Sequence, residues 1–486
     1  MRPDAADDYS ASSWVRRQAE PPCSREGRWE HVRVKDGGSV LVGGAPTRVV
    51  YLADAARKML VNRTLLVSDR QTAAPADRLL EMGMADPVIG ELPDLAAAEL
   101  TFVVPVRDRP VALDRMLASI GSGRKVIVVD DCPDDSKAVA DVAAVHGSRF
   151  VPLSVNVGPA GARNEGLRLV DTPYVAFVDS DMVLDPDTVP TLLRHFADPG
   201  VAMVSPRILG LVGEGEANWI GHYEDARSAL DLGRYASMVR PRAPVSWLPA
   251  ACLVARVDAL AGGFSAEMRV AEDVDLVWRL AERGWRIRYE PAVLARHEHR
   301  VKLGNWMSRK AFYGTGAHLL AQRHGYNVAP AVLAPWSVGV IIAVLAQRWW
   351  SLPAVAGLGV VTALLIARKL SRSRHPARVS VWLTASGVHA VVGQEMQLML
   401  RHWRPLAAIG CVFSKRVRRA VFVAAVVDVA VDYRRTDAKL GPIRFGVLRR
   451  LDDLAYGAGV WFGAIRGRSL AALLPDIRGR SWRRTR

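Results

Sequence analysis

The sequence predicts an α/β protein built round a mainly parallel, Rossmann-like sheet. A small N-terminal winged-helix-like module precedes that sheet, and a helical, membrane-associated region follows it. Three observations predict this layout. Between about residues 98 and 300, short β-forming runs alternate with helical periodicity, as in a sheet whose parallel strands are joined by crossover helices. Before it, short alternating runs separated by glycine-rich turns lead into two short helical segments. After it, residues 328–346 and 349–367 carry no charge, and each run is close to the minimum length that crosses a bilayer.

A chain of 486 residues is long enough for two to four domains. The net charge of +16 suggests nucleic acid at first sight, but its distribution points elsewhere: residues 368–486 hold 24 Lys/Arg against 7 Asp/Glu. A basic surplus that begins where the apolar runs end suits an anionic membrane surface, and no base-reading module is recognisable. Cys23, Cys132, Cys252 and Cys411 show neither ligand spacing nor a disulfide rhythm, which suits a reducing cytosol. No basic-then-apolar leader opens the chain, so the expected place is a bacterial cell membrane with the N-terminal part on its cytoplasmic face.

Taken in order, residues 1–28 read as a disordered tail and 29–95 as the small module. Its strands are expected at 31–35, 40–42 and 47–51, and its helices near 54–60 and 74–84. From 96 to 326 each expected strand delivers charge at its C-terminal end, where a doubly wound sheet binds its ligand. Pro105 and Arg107 end the first strand, Asp130-Asp131 the second, and Asp179-Ser180-Asp181 the fourth. Residues 327–370 are expected to form a membrane hairpin with both ends cytoplasmic, and 371–486 basic amphipathic helices on the membrane surface.

The chemistry follows from that order. Carboxylates one residue apart at a strand end, Asp179 and Asp181, suit a hard divalent cation shared with phosphate oxygens, although an acidic turn reads the same in isolation. Asn156 to Gly166 is glycine-rich and leads into a helix, where backbone amides and Arg163 could approach a diphosphate. Glu272 and Asp273 open an amphipathic helix, as a structural cap or as a carboxylate presented to an acceptor hydroxyl. His297 and His299 flank Glu298 further on and could complete a metal shell.

The ordered set of Asp130-Asp131, Asn156 to Asn164, Asp179-Ser180-Asp181, Gly262-Gly263-Phe264 and Glu272-Asp273-Val274-Asp275 resembles the family 2 glycosyltransferases of GT-A fold. That resemblance implies a nucleotide-diphospho-sugar donor, a divalent cation (Mg2+ or Mn2+) and one-step inverting transfer. It implies Asp273 as general base with Glu272 beside it, and Asp179, Asp181 and His297 at the metal. Donor contacts would come from Pro105, Arg107, Asp130, Asp131, Arg163, Asp179 and Ser180. The whole layout, through residues 37–87 and 300–325, is similar to the glycosyltransferases of the mycofactocin system. It then implies glucose, donated by UDP-glucose and joined in β-1,4 chains, added to a peptide-derived redox cofactor. Gln347-Arg348-Trp349-Trp350 departs from the Gln-x-x-Arg-Trp of processive members, so repeated addition rests on the closer resemblance alone.

Aromatic faces stack on sugars, so Trp219, His222, Tyr223 and Trp247 are candidate acceptor contacts, although each could be core, Trp247 most of all. Three rival readings stand beside this one. They are a transferase of the same fold acting on a lipid or polysaccharide, a non-catalytic peptide-binding membrane scaffold, and a nucleotidyltransferase.

Overall fold

The computed structural model describes residues 13–16, 32–35, 38–61, 64–96, 99–132, 136–211, 218–370 and 372–477. The chain divides into two compact units, the first comprising residues 1–34, 38–216 and 227–299, the second 35–37, 217–226 and 300–486.

In the first unit the main sheet runs in the order Arg149–Pro152, Lys125–Asp130, Leu100–Val106, Tyr174–Val178, Cys252–Arg256, Val201–Gly210, Arg286–His297, Met182–Leu184. The four strands from Arg149–Pro152 to Tyr174–Val178 are mutually parallel; the inner three are apolar and buried, as strands covered on both faces should be, and Arg149–Pro152 is a partly exposed edge. The second half departs from the expected parallel sheet. Cys252–Arg256 pairs antiparallel with Tyr174–Val178 and with Val201–Gly210, and Met182–Leu184 pairs antiparallel with Arg286–His297. The mixed half folds the chain back, so Met182 pairs with His297 and the acidic strand end reaches the histidine. The core beneath includes Phe102, Val104, Leu113, Met116, Val128 and Ala176.

The N-terminal module belongs to the same unit. Val32–Lys35, Val40–Gly43 and Arg48–Tyr51 form its three-stranded sheet. Its main helix, Arg70–Glu81, starts four residues earlier than expected, because Asp69 accepts from Thr72 N in a capping box and Pro75 is accommodated inside the helix. Leu60–Val61 pairs antiparallel with Thr64–Val67, an addition to the three expected strands. The expected disordered tail needs a correction at Ser13–Arg16. That strand pairs antiparallel with Thr64–Val67, whose backbone edge it completes; the remainder of 1–28 lies outside the described residues. Arg286–Asp77 and Arg288–Asp86 ion pairs tie the module to the large sheet, and Arg194–Asp94 ties it to helix Thr188–Arg194.

The second unit is helical, with Leu303–His324 against Pro442–Arg466 at its centre. The expected membrane hairpin is not two equal spans. Residues 328–346 fold as a short strand, Val332–Leu333, and a helix of only 12 residues, Pro335–Ala346, because Pro330 and Pro335 interrupt the run. At 1.5 Å per residue such a helix covers roughly 18 Å, well short of a bilayer core. Ser351–Lys369, with 19 residues, is the one described helix long and apolar enough to cross. Beyond it come Pro376–Gln397, Arg404–Phe413, Lys415–Arg435 and Pro442–Arg466. The unit buries a cluster of charges and leaves many apolar side chains outside. Arg449, Asp453 and Asp452 are buried, while Trp349, Leu352, Val412, Phe413, Phe422 and Ile443 are exposed.

Candidate active site

The site is assembled at the C-terminal ends of the parallel strands. Tyr174–Val178 is wholly buried, and the chain leaves it at Asp179, whose N–H donates to the Ala251 carbonyl of the neighbouring strand segment. Ser180 is buried in the turn that follows. Helix Glu272–Glu282 begins after Ala271, which is held in the left-handed region at φ 64°. That turn aims Glu272 and Asp273 back towards the strand end.

Arg163 joins the two. One terminal nitrogen donates to Asp179 Oδ1 at 2.6 Å and the other to Glu272 Oε1 at 3.0 Å. Burial alone would lower its pKa, but the flanking charges of Asp179 and Glu272 prevail and hold it above the ordinary value. Arg163 therefore organises carboxylates; with its side chain 4% exposed and both terminal nitrogens engaged, it is not the free diphosphate contact expected from the sequence. Its helix is placed by the glycine-rich motif. A Cβ on Gly166 would lie 2.3 Å from Val103, so glycine lets the helix seat on the sheet. Asn164 exchanges two hydrogen bonds with the backbone of Phe264, both 2.8 Å, and Gly263 is left-handed with no room for a side chain against Asn164.

Asp273 is half-buried and accepts from Val274 N at 2.8 Å and Ala250 N at 3.3 Å. Burial, then the adjacent Glu272 charge, push its pKa up to about 7; the two amides and Arg163 oppose the shift. Asp275, fully buried, binds Ser265 and Arg279 and is structural. Trp278 Nε1 donates to the Ser246 carbonyl, which fixes the segment that carries Ala250. Trp247 stands in that segment and is half-buried, so it is less enclosed than the core position expected for it.

The paired acids at the second strand end divide their work. Asp131 accepts from Val157 N at 2.7 Å and Gly158 N at 2.9 Å, so it caps the glycine-rich helix with amides that were expected to face a diphosphate. Asp130 is fully buried, and burial followed by the Asp108 charge raises its pKa to about 6. Pro105 is half-buried in its strand, and Arg107 is half-exposed with Nε 3.3 Å from Asp108.

Asp181 Oδ2 stands 3.6 Å from His297 Nε2, beyond hydrogen-bond reach and within the span of one cation bonded to both. His297 Nδ1 is buried without a hydrogen-bond partner. Among the described residues no three acidic, histidine or cysteine side chains converge as a metal cage. A carboxylate and an imidazole nonetheless fit a cation that takes its other ligands from diphosphate and water. Asp179, turned to Arg163, is not part of that pair. Sequence reasoning missed Arg109, which donates to Asp181 Oδ2 at 2.6 Å; its only signal was its place before Pro110 at a strand end.

Three of the proposed acceptor contacts belong to the second unit. Tyr223 is fully buried, its hydroxyl 3.1 Å from Asp452 and its ring against Trp306 and Phe445, which makes it an interior residue and corrects the expectation of an acceptor contact. His222 is half-buried, and Trp219 is 52% exposed with the Arg444 guanidinium 4.2 Å from its ring centre.

The chain matches the Glycosyl transferase family 2 domain over residues 101–238 and the Glycosyl transferase family group 2 domain over 174–402. It is 41% identical over 471 residues to the pre-mycofactocin glycosyltransferase of Mycobacterium tuberculosis, covering 92% of this chain and 96% of that one. It is 21% identical over 275 residues to a poly-beta-1,6-N-acetyl-D-glucosamine synthase of Staphylococcus aureus, covering 54% and 65%. Among solved structures it resembles a mannosyltransferase of Pyrobaculum calidifontis in complex with GDP-Man and Mn2+, at TM-score 0.36 and 19% identity, over 63% of this chain and 91% of that one. The chain thus belongs to the family 2 glycosyltransferases of GT-A fold, in the branch of the pre-mycofactocin glycosyltransferases.

Proposed function

We propose that the enzyme moves a hexose, glucose from UDP-glucose, to a hydroxyl of a peptide-derived redox cofactor or its precursor, with inversion at the sugar's C1 and β-1,4 chains as product. The observation that carries the mechanism is Asp273. It is a half-buried carboxylate with its pKa raised to about 7, oriented by two backbone amides and joined through Glu272 and Arg163 to the strand end that holds Asp179. A base with that affinity takes a proton readily near neutral pH. Asp273 accepts the acceptor hydroxyl's proton while that oxygen bonds to C1 and the bond from C1 to the diphosphate oxygen breaks, its electron pair leaving with the nucleotide. Arg163 holds Glu272 in place beside Asp273. A divalent cation, Mg2+ or Mn2+, held by Asp181 and His297 with diphosphate oxygens, would offset the charge that builds on the departing nucleotide. Half-buried Trp247, in the segment that binds Asp273, is the preferred acceptor contact.

The second unit is assigned to the cytoplasmic face of an anionic membrane, supported by its outward apolar side chains and by the exposed Lys415, Arg416, Arg418 and Arg419. The same surface favours one second reading, an acceptor carried on a lipid. Substituting Asp273→Asn tests the mechanism: transfer should fall by about 10²–10⁴-fold with nucleotide binding retained. Wild-type turnover in that variant would remove Asp273 from the role. Mass spectrometry of products from a soluble peptide-derived acceptor and from extracted lipids, run in parallel, separates the two acceptor readings.

A further inference from the structure

Asp181 Oδ2 is claimed twice. It faces His297 Nε2 at 3.6 Å, the pair assigned above to a cation, and it accepts from Arg109 Nη1 at 2.6 Å. An oxygen committed to a short, charge-assisted bond cannot give its full donor strength to a metal. Arg109 is well placed to leave, however. Its side chain is 40% exposed against 14% for Asp181, so swinging away costs Arg109 little packing, and a cation would replace its charge at the more buried carboxylate. It stands at the N-cap of Pro110–Ile120, following Asp108, which is left-handed at φ 53°. The same helix is anchored further on, where Arg115 donates to Glu298 at 2.6 Å, next to His297. The helix that starts after Arg109 is thus tied close to His297, and the Arg109 side chain beside it is partly exposed.

We propose that Arg109 is a positioning residue that competes with the divalent cation for Asp181 and, when displaced, pairs with the donor's diphosphate. It rests on the assignment of Asp181 and His297 to a cation. The guanidinium holds Asp181 aimed into the site. Cation binding frees it, and a diphosphate arriving with the cation offers oxygens that match its fork. Cation and donor then enter together, because each relieves the other of a cost.

The test is Mn2+ and UDP binding by calorimetry to the whole chain, with folding checked by thermal melts. If Arg109 holds Asp181 nine-tenths of the time, Arg109→Gln should tighten Mn2+ binding about tenfold in the absence of nucleotide. The same variant should weaken UDP binding at saturating Mn2+, and Arg109→Lys should restore part of both effects. Opposite signs for metal and nucleotide are what a merely structural arginine does not produce. Unchanged Mn2+ affinity in Arg109→Gln, with Mn2+ still lost in Asp181→Ala, overturns the competition and leaves the metal assignment standing. A wild-type chain that binds no Mn2+, with or without UDP, overturns both.

Discussion

Each unit of the molecule buries an arginine among carboxylates, and the two arginines do different things. Arg163 touches Asp179 and Glu272, whose neighbours Asp181 and Asp273 carry the proposed chemistry. Arg449 lies near Asp453 at 2.8 Å, Asp432 at 3.1 Å and Asp428 at 3.5 Å, and Arg450 adds an ion pair with Asp453 at 3.0 Å. The first cluster sits at strand ends with an open side: Asp179 is 32% exposed. The second is closed, with Asp453 at 1%, and its carboxylates join Lys415–Arg435 to Pro442–Arg466. The surroundings explain the contrast. In the first unit the described exposed large apolar residues are few (Leu66, Val111, Val145 and Val155), so apolar packing is left inside to hold the fold. In the second, Ile409, Val412, Phe413, Phe422 and Val423 face outward, and ion pairs take part of the interior role.

Replacing each arginine by methionine should sharpen that contrast most. Both changes strand buried carboxylates and should destabilise by about 3–5 kcal/mol in denaturant titrations. Only Arg163→Met should also move the pH dependence of transfer. If Arg449→Met moves it equally, the division of labour fails. On the surface, Ile409→Glu with Phe413→Glu should weaken sedimentation with anionic vesicles by about tenfold, while kcat on a soluble acceptor holds. Equal vesicle binding by the double variant would remove this face from the membrane.

The smallest effect is the pH profile, and it sets activity against stability within the first unit. With Asp273 as the proposed base, transfer needs it ionised, so kcat/KM should fall as pH drops below about 7. Stability runs the other way. A carboxyl whose folded pKa lies above its unfolded value favours the fold while protonated, fully so below about 4, and that contribution is lost as pH rises to about 7. Melting temperatures of Asp273→Asn should therefore lose less between pH 4 and pH 7 than wild type. A steeper loss in the variant would contradict the raised pKa.

Local pattern made much of this legible. Asp179, Asp181, Glu272 and Asp273 were identifiable because a strand end and a helix start leave marks within a few residues. What the sequence concealed depended on distant partners. Arg163 meets Glu272 across 109 positions, and that separation hid its role as a bridge. Tyr223 finds Asp452 across 229 positions, so an aromatic suited to a sugar proved to be interior. The apolar run at 328–346 misled because length and hydropathy ignore where prolines end a helix, and the antiparallel half of the sheet left no periodicity different from the parallel half.

The bridge through Arg163 has a thermodynamic corollary. On the proposed reading, one guanidinium answers to the donor side through Asp179 and to the base side through Glu272, which makes nucleotide and proton linked ligands of one enzyme. Linkage is reciprocal: whatever factor the bound donor applies to the proton affinity of Asp273, the proton applies to the donor. The two pH profiles report it directly, since kcat/KM follows the free enzyme and kcat the loaded one. The distance between their acid limbs measures how strongly the two halves of the reaction are coupled before any bond is made.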